Sequence, residues 1–96
     1  MKIMAIASPT KPLTPEILQK HLPTEVPATL KLYLDGIIEQ FWFREKNGPI
    51  FLMNVDTPEK AQAILAKLPF VADNIMTYEL LPVGPLMPLG RLIPAA

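Results

Sequence analysis

Apolar positions along the chain switch between a period of two and a period of three to four, and those switches outline the elements. Met1 to Ser8 alternates weakly in Ile, Met and Ala and predicts a first strand. Pro9, Pro12 and Pro15 then make a stiff connector. Thr14 suits a helix N-cap and Pro15 the first helical position, where its missing N–H removes no hydrogen bond. Ile17, Leu18, His21 and Leu22 share one side of this helix. Pro23 predicts a bend or a break, because its ring collides with the preceding turn, with a fresh start at Thr24 and Pro27 in the new first turn. Val26, Leu30, Tyr33 and Leu34 continue the apolar stripe until Gly36 stops it.

Gly36 to Glu45 predicts strand two, Asn47-Gly48 a hairpin turn, and Ile50 to Val55 strand three. The stretch DTPEKAQAILAKLP predicts a second helix. Thr57 caps it, Pro58 opens it, Glu59 favours its positive end, Ala61, Ile64, Leu65 and Leu68 form the buried stripe, and Pro69 ends it. Asn74 to Pro82 predicts strand four, with Met76, Tyr78 and Leu80 on one face and Ile75, Thr77, Glu79 and Leu81 on the other. The order β-α-β-β-α-β is that of an α+β, ferredoxin-like fold: a four-stranded antiparallel sheet with two helices on one face. Residues 1–82 form its single domain. Residues 83–96 carry Leu86, Met87, Leu89, Leu92 and Ile93 among three prolines, and are expected to be an arm packed on a neighbouring subunit.

With helices on one face, the other face of a monomer's sheet should be polar. Strand two reads Ile38, Gln40, Trp42, Arg44 against Ile37, Glu39, Phe41, Phe43, and strand three is apolar on both faces. A sheet apolar on both faces needs a second cover, most simply the same sheet of another copy. The segments LDGIIEQFWFRE, FLMNVDTPEKAQAILAKLPF and MTYELLPVGPL, spanning about Leu34 to Leu86, resemble the muconolactone isomerase-like branch of the dimeric α+β barrel superfamily. Shared features are the Gly ending helix one, the aromatic strand with Trp42, the TPEKA helix start, KLPF, and a proline-containing exit from strand four. The resemblance implies a homodimer with facing sheets, often assembled further, a C-terminal arm reaching across subunits, and a small-molecule pocket between sheet and helices. The superfamily holds isomerases, cofactor-independent monooxygenases, haem proteins and members with no established reaction.

Nine basic residues balance nine acidic ones, with no basic cluster, so neither nucleic acid nor membrane is an expected partner. The absence of cysteine removes disulfides, thiolate metal sites and cysteine nucleophiles, and a single histidine leaves only carboxylates to complete a metal site. No metal or cofactor is expected. The short apolar run at the N-terminus is below signal-peptide length, which makes a cytoplasmic location the expectation.

Candidate chemistry centres on strand two. Arg44 can hold a carboxylate or stabilise an enolate, or pair with Glu45. Glu39 can move a proton next to a carbonyl as a half-buried carboxylate, or pair with a lysine or Arg91 across a dimer interface. Trp42 and Gln40 can line a pocket, Trp42 by stacking on a flat ligand or by filling the core. The hairpin predicts Asn54 near residues 41 and 42, and an Asn–Trp pair resembles the oxygen-handling sites of the cofactor-independent monooxygenases. His21 can be a base, a haem ligand as in distant superfamily members, or a half-buried core residue. Tyr78 and Tyr33 are aromatics of core or pocket. Three functions follow: an isomerase or lyase acting on a small cyclic or unsaturated acid through Glu39 or His21 with Arg44 as anchor, a cofactor-independent monooxygenase using Trp42 and Asn54 on an electron-rich aromatic, and a non-catalytic ligand-binding or structural dimer.

Overall fold

The computed structural model describes residues 2–45 and 47–84. In chain order the elements are β1 (Lys2–Pro9), α1 (Pro15–Leu34), β2 (Ile38–Arg44), β3 (Gly48–Met53), α2 (Pro58–Leu65), α3 (Pro69–Ala72) and β4 (Met76–Val83). The sheet is antiparallel throughout, in the order β2-β3-β1-β4, which is the ferredoxin-like arrangement. Val83 pairs with Lys2 inside β4, so the strand runs one residue past the expected domain boundary; residues 85–96, most of the expected arm, lie outside the described residues. Pro82 is accommodated because β4 is an edge strand, where one side of the backbone has no partner to bond.

The helix starts follow the capping logic. Thr14 accepts the Ile17 N–H at 3.3 Å and Thr57 accepts that of Lys60 at 3.2 Å. Helix α1 ends in a Schellman motif: Gly36, at φ 79°, donates to the Tyr33 carbonyl at 3.1 Å and Ile37 to that of Leu32 at 3.0 Å. Helix α2 ends at Leu65, with Ala66 as its C-cap, four residues short of the expected stop at Pro69, which instead opens the short α3, an element the sequence reading does not contain. The hairpin is present, yet its left-handed residue is Gly48 (φ 94°), and Asn47 closes the turn on the Arg44 carbonyl at 3.2 Å.

Two departures in α1 reshape the molecule. The helix runs unbroken through Pro23 and Pro27. Both prolines are exposed, four residues apart, so the unbonded carbonyls of the turns before them open towards solvent. The buried face of its second half is not Val26, Leu30, Tyr33 and Leu34, which are 55, 48, 43 and 74% exposed. It is His21 and Glu25, continued by the partly buried Ala28 and Leu32. An unbroken helix keeps one angular register, and in that register residues 21, 25, 28 and 32 face the sheet.

The core lies between helices and sheet. Ile3, Ala5, Phe51, Met53 and Ile38 meet Ala61, Leu65 and Leu68 in one cluster, while Ala7 and Met76 meet Phe70 and Ile75 in another. The β2–β3 ladder slips between Ile38 and Gln40, so Glu39 is a bulge. That slip corrects the expected faces of strand two. Ile38, paired with Met53, is buried with the core, whereas the strict alternation had put it with Gln40 and Trp42.

Candidate functional site

Helix α2 packs on β1 and β4, and α1 is the helix in contact with β2. The β2–β3 side of the sheet is therefore roofed by one helix. Under that roof lies a cleft of about 430 Å³. Leu22, Val26 and Leu30, one helical turn apart on α1, form one wall. Phe41, Phe43, Pro49 and Phe51 form the sheet side and Phe70 of α3 also contributes; Trp42 borders the cleft between Phe41 and Phe43, while its pairing with Ile50 puts its side chain on the other face of the sheet. Tyr33 meets Phe41 edge to face at 5.0 Å between centroids. The size lies within the usual range of small-molecule sites, about 300–1,000 Å³.

Glu25 and Thr29 are the only polar side chains lining this cleft among the described residues. Glu25 is 6% exposed. One of its oxygens accepts the Phe70 N–H at 2.9 Å and the other the Thr29 hydroxyl at 3.1 Å. The first contact explains why α3 starts without a side-chain cap of its own: a carboxylate from another helix satisfies one of its free N–H groups. Tyr78 stacks on Phe51 at 5.6 Å, and burial, followed by the Glu25 charge, holds its phenol well above the ordinary range.

The remaining sequence candidates do not gather at the cleft. The Glu39 carboxylate is bound by Lys2 of the same chain, at 2.5 and 2.6 Å. The Arg44 guanidinium donates to the Ala7 carbonyl rather than pairing with Glu45, and its Nε is buried without a partner among the described residues. His21 is tied at both nitrogens, Nδ1 to the Ile17 carbonyl at 2.8 Å and Nε2 to the Asp73 carboxylate at 2.7 Å. Gln40 pairs with Leu52 on β3 and is exposed. Asn54 is not beside Trp42. The ladder register puts Trp42 opposite Ile50, and Asn54 lies past its end, donating to the Gly36 carbonyl at 3.0 Å. Of the strand-two candidates, Trp42 is the one that borders the cleft.

Sequence reasoning noted Glu25 only as lying one turn on from His21, and did not place it or the aromatics Phe41, Phe43, Phe51 and Phe70 in a cleft. A signal existed: Leu22, Val26 and Leu30 recur every four residues beside a second series, His21, Glu25, Ala28 and Leu32, and the helix cannot bury both. Among the described residues no three metal-ligating side chains lie together, and no helix is long and apolar enough to cross a membrane. Comparison with models of known protein families gives no match, and comparison with curated proteins gives none either.

Proposed function

We propose that this protein binds a small, largely aromatic molecule in the cleft between α1 and β2, as a homodimer joined through the uncovered face of its sheet. The observation that supports the binding reading is an open cleft walled by four phenylalanines, flanked by apolar side chains left exposed on α1. Apolar groups of that size are not left uncovered without an occupant or a partner. Binding rather than turnover is favoured because His21, Glu39 and Arg44 are each engaged elsewhere and none lines the cleft. An isomerase or monooxygenase reaction would have to place its substrate outside this cleft.

The homodimer rests on a second observation. Met4 and Ile6 alternate with the buried residues of β1, and with their neighbours Ile50, Leu52 and Leu81 they present a half-exposed apolar face away from the helices. The resemblance to muconolactone isomerase-like dimeric α+β barrels supports the same facing-sheet assembly.

The chain's single tryptophan, Trp42, is a built-in reporter for the binding reading. A neutral fluorescent aromatic, N-phenyl-1-naphthylamine, should show saturable, one-to-one energy transfer from Trp42. Leu30→Arg places a long side chain at an exposed position of the cleft wall and should weaken that binding at least tenfold while leaving the melting temperature near the parent's. Equal affinity in the two proteins would exclude the cleft as the site.

A further inference from the structure

The cleft's charge pattern specifies its ligand more narrowly than its shape does. Glu25 is the only ionisable residue lining it among the described residues. Its carboxylate is held in place by two donors, the Phe70 N–H and the Thr29 hydroxyl, each on a different oxygen. Each oxygen therefore keeps capacity for a further donor. The ion pairs among the described residues join Lys2 to Glu39, His21 to Asp73, Lys31 to Asp35 and Lys60 to Asp56, so the cations they use are committed elsewhere. His21 lies one turn before Glu25 on the same buried face, but its two nitrogens are directed at Ile17 and Asp73.

The rest of the wall is consistent with this charge. Phe41, Phe43, Phe51 and Phe70 present π systems whose faces carry negative potential. An anion entering the cleft would meet Glu25 with no cation to receive it. A neutral hydrocarbon would bury the carboxylate further without a counter-charge, which is costly. A ligand with an apolar body and a protonated amine satisfies both features at once: its ammonium donates to Glu25 and its body lies among the rings.

We infer that the cleft takes an apolar or aromatic amine in its protonated form, with Glu25 as the ammonium acceptor. This rests on the cleft being a binding site, and the experiment separates the two statements. Three ligands with one skeleton and different charge are titrated into the full chain by calorimetry at neutral pH: 3-phenylpropylamine, 3-phenylpropan-1-ol and 3-phenylpropanoate. The amine should bind at least tenfold tighter than the alcohol, with the carboxylate weakest. In Glu25→Gln, whose amide oxygen can still accept the Phe70 N–H, amine and alcohol should bind alike. If the alcohol binds as well as the amine, the cleft is a site but Glu25 does not select charge, and the inference is overturned. A preference for amine that persists in Glu25→Gln overturns it too. If none of the three binds, the cleft reading falls with it. Should Glu25→Gln fail to fold, the charge series in the parent protein still decides.

Discussion

Tyr78 joins the apolar and polar parts of the interior. Its ring stacks on Phe51 in the main core, while its phenol feels the Glu25 carboxylate. Burial first, and Glu25 second, push the phenol's pKa up, so the folded protein holds that proton to higher pH than an unfolded chain does. The unfolded tyrosine titrates near about 10. Below that pH the two states carry the same proton and Tyr78 adds no pH dependence. Above it the unfolded state releases the proton first, binds fewer protons than the native state, and stability falls as pH rises. We expect the melting temperature to drop from about pH 10 upwards, with Tyr78→Phe removing part of that drop. Near pH 7 the variant should lie within about 1 kcal/mol of the parent, as the hydroxyl makes no hydrogen bond within the described residues. Parallel alkaline melting profiles of the two proteins would show that Tyr78 is not the source.

At the scale of elements, what the sequence discloses follows from what is local. Caps at Thr14 and Thr57, the stop at Gly36 and the hairpin between β2 and β3 are written in neighbouring residues, and all are present. The face that α1 buries is not local. Two series four residues apart compete for it, and the choice falls to Glu25 because α3, an element without a cap, needs an acceptor there. The bulge at Glu39 is likewise invisible to alternation, and it inverts the face of Ile38. Hence the fold was legible and the cleft was not: Trp42 was named from its own strand, whereas Phe70 and Glu25 meet across 45 residues of sequence. Gly48 shows the same limit at the hairpin. At φ 94° it needs glycine, and an added Cβ would come within 2.8 Å of Met76 Cε, in a side chain only 1% exposed. Gly36, at φ 79°, has open space around it. Gly36→Ala should therefore cost about 1–2 kcal/mol from backbone strain alone, and Gly48→Ala clearly more. Chemical denaturation of both checks the order; equal losses would mean that Met76 moves aside freely.

On the scale of the whole molecule, two apolar surfaces are uncovered among the described residues: the outer face of the sheet and the α1–β2 rim. The sheet face is four strands wide, about 19 Å at ~4.8 Å per strand, and about 20–25 Å long at ~3.3 Å per residue, a planar footprint on the order of 400–500 Å². A standard interface removes about 800 Å² of accessible surface per partner. Side-chain relief makes accessible area larger than footprint, so facing sheets approach that figure without a large additional contact. The α1–β2 rim is concave, and two concave surfaces do not close on each other. The sheet face is thus the better candidate for the proposed dimer interface and the rim for the proposed ligand entrance. Light scattering of the parent at tens of micromolar should give a mass near twice the 10.7 kDa chain. Ile6→Lys or Leu52→Glu puts a charge at the middle of the proposed interface and should give a folded monomer, because both side chains are already half-exposed in the single chain. Val26→Lys, on the rim and 55% exposed, should leave the dimer intact. The reverse result, dissociation by Val26→Lys with Ile6→Lys still dimeric, would make the cleft the subunit contact and leave the sheet face for another partner. A parent that remains monomeric would remove the dimer altogether while leaving the amine titration unaffected, since every residue lining the cleft comes from one chain.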